Sequence, residues 1–191
     1  APARQSPLSK PAPKRDAAQD ITHILSHAVP IEQTPVAQYL QGRGLALPMD
    51  SDLLFHDDLT HWETKTGFAA LLGQVRDRSG DVIGLHRTYL VQNADEVRKA
   101  DVSKPKMMMG RIAGGAVRLA PIGKDGRVAL CEGIETGLAV MTACPDLPVW
   151  ATLSTSGLEQ VELPPAGQRV LILADHDASG AGLRAAEASA R

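Results

Sequence analysis

The sequence predicts an α/β fold in which a parallel sheet flanked by helices is preceded by a smaller mixed α+β domain. Three short apolar segments recur about every 20 residues toward the C-terminus, at positions 128–131, 149–153 and 170–174. Helical patterns lie between and after them, and strands and helices that alternate at this spacing are typical of βαβ units. Earlier in the chain, two apolar segments around a polar turn, 68–75 and 82–91, predict an antiparallel hairpin. This change of pattern places a domain boundary near residue 125.

The composition favours a globular protein without a general affinity for polyanions. Of the 191 residues, 43 % are hydrophobic and 22 % are charged, which is ordinary for a globular domain. The formal net charge is −2, so binding to nucleic acid would require a local basic patch. No apolar segment approaches the ~18 residues of a membrane span, so we expect no membrane partner. Cys131 and Cys144 form no CxxC motif and are expected to be free thiols in a reducing cytoplasm.

Local signals define the first elements of the chain. Residues 1–19 contain four prolines and predict a disordered linker. Residues 20–28 have the pattern of a short helix. A second helix begins with Thr34 as its N-cap and a proline in the first turn, and it ends at Gly42 or Gly44.

The middle of the chain combines an acidic segment with a basic one. Residues 50–67 are acidic and contain two histidines, and they predict a connecting loop. Asn93 is expected to cap a short helix over residues 94–100. The next segment has no acid between Asp101 and Asp125 but several basic residues nearby: Lys99, Lys104, Lys106, Arg111 and Arg118. Such a stretch alone is more typical of a solvated surface, but in this chain it is the best candidate for binding a polyanion.

Acidic residues follow two of the three apolar segments. Glu132 comes directly after the first segment, and Asp175 and Asp177 come after the third. Because the carboxyl ends of parallel strands meet at one edge of the sheet, we expect these carboxylates to lie close together. Two carboxylates about 4 Å apart repel each other by roughly 4 kcal/mol at an effective dielectric constant of about 20. A divalent cation would remove that repulsion, and an all-oxygen ligand set suits Mg²⁺ or Mn²⁺. An Asp-x-Asp alone is also compatible with a simple helix cap.

Further side chains belong to the same predicted edge. Glu135 is expected in the first turn of the following helix, where the helix macrodipole favours an acid. The hydroxyl groups of residues 152–156 would either contact phosphate or cap the next helix. His86 and His176 are additional candidates for contact with phosphate.

These motifs resemble the Toprim domain, the metal-binding module of bacterial-type primases, type IA and type II topoisomerases and some nucleases. Glu132-Gly133 and Asp175-x-Asp177-x-x-Gly180 stand in the Toprim order, about 43 residues apart, and the run LADHDASGAGLRAA is similar to the primase version. The segments VIGLHRTYL and KPKMMMGRIAGGAVRL resemble the region that precedes Toprim in plasmid- and phage-type primases. The resemblance covers roughly residues 67–191.

The resemblance implies a role for each candidate residue. Glu132, Asp175 and Asp177 would be the catalytic residues and the ligands of Mg²⁺ (or Mn²⁺). Nucleic acid and nucleotide would contact six residues: Arg87, Lys104, Lys106, Arg111, Gly133 and Gly180.

The implied organisation has three parts. A linker over residues 1–19 precedes an α+β N-terminal subdomain of a primase core over 20–125, which contains the basic stretch. A Toprim-like α/β domain follows over 126–191. A Toprim sheet usually has a fourth strand after its last helix, and this chain stops first, so we expect a C-terminally truncated domain. The chain also departs from many such primases because no Cys/His zinc-binding module precedes the core, and His176 stands where a small or acidic residue is usual.

The expected function is the catalytic core of a DNA primase. Such an enzyme is an Mg²⁺-dependent nucleotidyltransferase that makes short primers on a single-stranded DNA template from nucleoside triphosphates. We expect it to be cytoplasmic and part of a longer mobile-element replication or conjugation protein with further domains. The alternatives are a Toprim-type metal-dependent nuclease and a non-catalytic DNA-binding Toprim module. A topoisomerase needs a nucleophilic tyrosine, and neither Tyr39 nor Tyr89 is suitably placed in the sequence.

Overall fold

The structure, a computed structural model, describes residues 16–174. The helices in this range are α1 (Ala17–Ser26), α2 (Pro35–Gly42), α3 (Ile134–Ala143) and α4 (Thr155–Gln160). The strands are β1 (Val29–Pro30), β2 (Leu53–Thr60), β3 (Gly67–Arg76), β4 (Val82–Gln92), β5 (Val97–Lys99), β6 (Lys106–Gly110), β7 (Val117–Arg118), β8 (Arg127–Cys131), β9 (Val149–Ala151) and β10 (Arg169–Leu173). No helix in the described range has the length and apolar character that crossing a membrane requires.

Strands β1 to β6 form an antiparallel sheet in the order β1-β2-β3-β4-β5, with β6 also paired to β4. β3 and β4 are the hairpin expected from the sequence. Its turn is stabilised by the Asp77 carboxylate, which accepts hydrogen bonds from the backbone N–H groups of Ser79 and Asp81 at 2.9 and 3.2 Å. β4 is long enough for two short partners on one edge, with β6 along residues 84–88 and β5 along residues 90–92.

The second sheet has the strand order β10-β8-β9-β7. β8 pairs in parallel with both neighbours, so Leu130 lies between Ile172 of β10 and Trp150 of β9. β7 adds an antiparallel strand at the edge of β9. Because α3 follows β8 and α4 follows β9, strand and helix alternate as the sequence predicts. The predicted fold class is confirmed, although within residues 16–174 the preceding part holds the larger sheet, with six strands against four.

The prediction of a short helix over residues 94–100 is wrong. Residues Val97–Lys99 form strand β5 and pair with the end of β4. The Asn93 side chain does not cap a helix, since it accepts hydrogen bonds from the N–H groups of Asp95 and Glu96 at 3.1 and 2.8 Å and forms a turn. The free edge of β4 supplies backbone partners, and this tertiary pairing outweighs a weak local preference for helix.

The loop expected over residues 50–67 is also wrong in part, because β2 occupies its centre and pairs with β3. The pairing register shifts between His56 and Leu59, and the acidic Asp57 and Asp58 lie in this irregularity. A bulge interrupts the alternation of apolar and polar residues, so the sequence pattern does not indicate a strand. At the N-terminus, α1 starts at Ala17, three positions before the predicted helix, with Asp16 as its N-cap.

One hydrophobic core contains side chains from both sheets. Its buried members include Val36, Leu71, Val75, Ala129 and Leu138. The sheets are also linked through backbone hydrogen bonds of 2.9 and 3.0 Å between Arg76 and Ala116. Residues on both sides of position 125 therefore share buried surface, and a domain division at that position stays a prediction.

Gly137 allows α3 to pack closely on the second sheet. A Cβ atom at this position would lie 2.5 Å from Leu119 Cδ1, 3.0 Å from Cys131 Sγ and 3.1 Å from Val149 Cγ1. We expect Gly137→Ala to lower the free energy of unfolding by about 1–2 kcal/mol, because overpacking outweighs the better helix propensity of alanine. Urea denaturation would measure the change. Gly42→Ala in α2 is the matched control, since nothing lies within 4 Å of its Cβ position. If Gly137→Ala and Gly42→Ala were equally stable, close packing at Gly137 would not be the cause of the predicted loss.

Candidate active site

A cavity of about 230 Å³ lies between the carboxyl end of β8 and the first sheet, and it is termed the site cavity. Its polar lining comes from both parts of the chain: His86 and Thr88 of β4, Lys106 of β6, and Glu132 and Glu135 after β8. Its apolar lining includes Leu71, Met108, Ile134 and Leu153. The cavity thus brings Glu132, Gly133 and Lys106, three of the residues singled out from the sequence, to one place.

The pairing of β4 with β6 determines which side chains reach the site cavity. Thr88 is paired with Lys106, and His86 is paired with Met108. Because successive strand residues point to opposite faces, these four side chains share one face of the sheet. The basic stretch of the sequence is therefore in part a strand with a fixed orientation toward the cavity.

Glu132 is positioned by the end of β8. Its Oε1 accepts a hydrogen bond of 3.0 Å from the hydroxyl of Thr155, the first residue of α4. Within residues 16–174, Oε2 makes no hydrogen bond or ion pair and is available to a ligand. Ser154 caps α4 by accepting a hydrogen bond of 3.0 Å from the N–H of Gly157, so the capping alternative holds for that residue.

The second acidic motif begins where the described residues end. Parallel pairing places Leu173 of β10 opposite Cys131 of β8, so these two strands end side by side. Four residues of the predicted site, Asp175, His176, Asp177 and Gly180, lie outside the described residues. Among residues 16–174 no group of three or more His, Cys, Asp or Glu side chains could hold a metal ion. The ligand set therefore stays a prediction in which Glu132 is the described member.

Glu135 connects three cationic side chains from separate segments. It lies in the first turn of α3, as the sequence predicts. Lys99 Nζ and Lys106 Nζ lie 2.9 and 3.3 Å from its Oε1, and Arg43 Nη2 lies 2.9 Å from its Oε2. The Tyr39 hydroxyl donates a further hydrogen bond of 3.1 Å. Sequence reasoning missed this cluster, whose only local signal was the excess of basic residues after position 98.

The charge of Glu135 is strongly favoured in the folded chain. Burial alone would raise the pKa of this carboxyl, but the hydrogen bond from Lys99 and the charges of Lys106, Lys99 and Arg43 outweigh it. The net effect lowers the pKa of Glu135 from 4.5 to about 2. The carboxylate is therefore ionised at any pH at which the protein is expected to work, and it neutralises part of the basic charge beside the site cavity.

The lowered pKa of Glu135 predicts a loss of stability in acid. A carboxyl with a lower pKa in the folded than in the unfolded chain stabilises the fold fully above the unfolded value of 4.5, and this stabilisation disappears as the pH falls toward about 2. After allowance for solvent screening by its partly exposed partners, we expect this stabilisation to be about 2 kcal/mol. Urea denaturation at several pH values should show a difference between the parent and Glu135→Gln that is large at pH 7 and small near pH 2. If the difference in stability between the parent and Glu135→Gln did not change with pH, the lowered pKa of Glu135 would be contradicted.

Three exposed basic side chains among the predicted nucleic-acid contacts are paired with acids. The pairs are Lys104 Nζ with Glu63 at 2.7 Å, Lys106 Nζ with Glu135 at 3.3 Å, and Arg111 Nη2 with Asp77 at 3.6 Å. Exposed pairs of this kind contribute roughly 0–1 kcal/mol, so phosphate groups can compete for the cations. Lys106 lines the site cavity, whereas Arg111 lies toward the other end of β6, beside the β3–β4 turn.

Arg87 does not line the site cavity. It is buried, with 6 % exposure, and it points to the face of the sheet opposite His86. Its guanidinium donates hydrogen bonds to the Met108 carbonyl at 3.0 Å and to the Tyr89 hydroxyl at 3.3 Å. Arg87 borders a separate hollow beside α1 and β2, and its predicted contact with nucleotide or nucleic acid stays a prediction.

His86 is a buried polar residue of the site cavity. Its side chain has no hydrogen bond among the described residues, and Nδ1 is fully buried. Burial, followed by the positive charge of Lys106, lowers the pKa of His86 to about 4. The ring is therefore neutral at pH 7 and cannot neutralise a phosphate, although it can donate one hydrogen bond and accept another.

Two family models match separate parts of the chain. Residues 15–119 match the family described as "Domain of unknown function (DUF7146)", and residues 127–191 match the family described as "Toprim domain". The comparison with curated proteins gives no match.

Among solved structures, the chain is similar to the crystal structure of the primase fragment of the Bacteriophage T7 primase-helicase protein. The identity is 15 %, the TM-score is 0.47, and the match covers 80 % of this chain. The matched part corresponds to 55 % of the length of that structure. By the match over more than half of its sequence, the chain belongs to the DUF7146 family, and it carries the Toprim domain that its acidic motifs predict.

Proposed function

We propose that the chain is the catalytic core of a DNA primase, which makes short primers on single-stranded DNA by Mg²⁺-dependent nucleotidyl transfer. The observation that carries the proposal is the position of Glu132. It stands at the carboxyl end of a parallel strand within the Toprim match, and its carboxylate lines the same cavity as Lys106 of the first sheet. Acidic and basic groups that converge on one cavity suit a reaction of phosphate esters.

Glu132 would be one ligand of a divalent cation, with the remaining ligands supplied by Asp175 and Asp177. Toprim domains generally bind such ions, and Glu132 presents one carboxylate oxygen held by Thr155 and a second one free of described partners. Glu132, Asp175 and Asp177 would hold one or two Mg²⁺ ions, or Mn²⁺, through oxygen ligands. A bound ion would favour deprotonation of the attacking 3′ hydroxyl and would neutralise charge on the leaving pyrophosphate.

The chain's own basic residues would bind and orient the substrates. Lys106 would direct its ammonium group to the triphosphate at the cavity, because its pairing with Glu135 is half-exposed and open to competition. Lys104, Arg111 and Arg87 would follow the template or primer backbone, whose phosphates are recognised by such side chains without regard to sequence. Gly133 and Gly180, without side chains, would allow phosphate to approach the backbone.

The proposal also covers the domain organisation of the core and the larger protein to which it would belong. The parts over 20–125 and 126–191 would act as the N-terminal subdomain and the Toprim domain of one core. That core would belong to a longer cytoplasmic protein of mobile-element replication or conjugation, with single-stranded DNA and nucleoside triphosphates as partners.

A priming assay tests the proposal. The chain is incubated with single-stranded DNA, labelled nucleoside triphosphates and Mg²⁺, with EDTA in a parallel reaction. We expect short labelled products that require both template and metal. Cleavage of a labelled strand without nucleotides would replace the proposal with a metal-dependent nuclease. DNA binding without either reaction, and without binding of Mg²⁺ or nucleotide, would replace it with a non-catalytic DNA-binding module.

A further inference from the structure

We propose that Trp62, which borders the hollow beside α1 and β2, stacks on an unpaired base of single-stranded DNA. This hollow has a volume of about 640 Å³ and shares no lining residue with the site cavity. Arg87, one of the predicted nucleic-acid contacts, borders it as well. The inference rests on the proposed function, which supplies single-stranded DNA as the template. It adds a contact with bases to the predicted contacts with phosphate.

The first argument is the exposure of a large aromatic ring. Tryptophan is highly buried in most folded proteins, but Trp62 is 61 % exposed, whereas Trp150 is 3 % exposed. Lys65 Nζ lies 4.9 Å from the centre of the Trp62 ring, so the exposed indole has a cation beside it. Proteins that bind single-stranded nucleic acid combine aromatic rings with basic groups, because every base offers a π-face and every nucleotide a phosphate.

The second argument is that the segment around Trp62 is fixed to Lys104, a predicted phosphate contact. The preceding residue, His61, is buried, and its Nε2 donates a hydrogen bond of 3.1 Å to the Lys104 carbonyl. The following residue, Glu63, accepts a hydrogen bond of 2.7 Å from Lys104 Nζ. The backbone N–H of Lys65 donates to the His61 carbonyl at 2.8 Å and closes the turn. A ring for a base and a cation for a phosphate are therefore held close together before DNA binds.

The third argument is the chemistry of the hollow that Trp62 borders. Three more flat rings line it: His23, His27 and His56. The ring of His27 lies 4.8 Å from that of His23 and 6.3 Å from that of His56, between centroids, and imidazole rings also stack on bases. Three carboxylates line the hollow as well: Asp20, Asp57 and Asp58. They would repel a phosphate, but a carboxylate can accept a hydrogen bond from the amino group of a base. The hollow thus suits bases, with the phosphates outside toward Lys65 and Lys104.

The experiment compares DNA strands with and without bases. A labelled thymidine oligonucleotide of roughly 12 nucleotides and an abasic strand of the same length carry the same phosphates. Their affinities are measured by fluorescence anisotropy for the parent, Trp62→Leu and Trp62→Phe. We expect Trp62→Leu to weaken binding of the thymidine strand about tenfold and to leave binding of the abasic strand unchanged. Trp62→Phe keeps a ring and should retain most of the affinity.

Two further variants serve as controls. Met49→Ala removes another strongly exposed apolar side chain, which does not line the hollow, and should leave both affinities unchanged. Lys104→Gln removes a predicted phosphate contact and should weaken binding of both strands by the same factor. Tryptophan emission gives a second measurement, since the thymidine strand should quench the parent, the abasic strand should not, and Trp62→Leu, which keeps only the buried Trp150, should respond to neither.

Different outcomes separate this inference from the proposed function. If Trp62→Leu binds the thymidine strand as tightly as the parent does, Trp62 does not stack on a base and the inference is wrong, while the proposed function is unaffected. An equal loss of both strands in Trp62→Leu would make Trp62 a support for phosphate contacts and would also overturn the inference. A parent that binds neither strand overturns the inference, and it overturns the proposed function as well if it makes no primers. Circular dichroism detects misfolding of Trp62→Leu, and in that case the ratio of the two affinities in Trp62→Phe decides.

Discussion

Glu135→Ala should lower the free energy of unfolding by about 2 kcal/mol at neutral pH. Removing one partner from a fully buried charge cluster costs about 3–5 kcal/mol, whereas an exposed pair contributes roughly 0–1 kcal/mol. The Glu135 side chain is 18 % exposed and its three cationic partners are more exposed, so the effect falls between these ranges. The variant would leave Arg43, Lys99 and Lys106 close together without an acid to neutralise them. Urea denaturation followed by circular dichroism measures the change.

Glu96→Ala is the matched control for this prediction. Glu96 also faces an arginine, Arg98, at 3.8 Å, but both side chains are at least half-exposed. Exposed pairs contribute roughly 0–1 kcal/mol, so this variant should unfold almost as the parent does. Similar losses in the two variants would show that Glu135 holds the two sheets together no better than an ordinary surface acid.

Glu132→Gln should reduce primer synthesis at least 100-fold, roughly the smallest contribution expected of a general base or of an equivalent catalytic group. The amide keeps an oxygen that can accept the hydrogen bond from Thr155, so the local structure should survive. The lost negative charge should also weaken binding of the divalent cation. The initial rate of primer formation and a calorimetric Mn²⁺ titration are the two measurements.

Glu159→Gln serves as the control for Glu132→Gln. Glu159 is an exposed acid of α4, the helix whose first residue contacts Glu132. This substitution removes the same charge from the same part of the surface and should leave both rate and Mn²⁺ affinity unchanged. Equal activity of the parent and Glu132→Gln would refute the role of Glu132 in catalysis.

The parallel part of the fold could be predicted because its strands carry continuous apolar sequences. Residues 128–131 belong to the buried strand β8, residues 170–173 belong to its parallel partner β10, and each apolar segment is followed in the sequence by an acid. The resulting Toprim assignment is confirmed. α2 was predictable from Thr34, whose hydroxyl accepts a hydrogen bond of 3.2 Å from the N–H of Val36. Each of these strands and this helix can be predicted from a pattern that lies within a few residues of the element itself.

The remaining features depend on residues that are far apart in sequence. β5 and β6 are short, with three and five residues, and they form strands because β4 offers them a free edge. The contacts of Glu135 with Tyr39 and Arg43 span more than 90 positions, so no local pattern could indicate them. The sequence indicated His86 as a candidate because it lies near the predicted site. Its burial, which lowers the pKa of the ring and keeps it neutral, could not be predicted without the folded structure.

The pairing of β6 with β4 has a consequence for substrate affinity. Five residue pairs, from Gly84–Gly110 to Thr88–Lys106, fix the backbone of this segment before any ligand arrives. A flexible loop would lose conformational entropy on binding, at a cost of about 1–2 kcal/mol for each residue that becomes ordered. In this chain the folding reaction has already ordered the backbone that carries Lys106. The site is thus preorganised on its basic side, and a nucleotide would need to immobilise only the end of a lysine side chain.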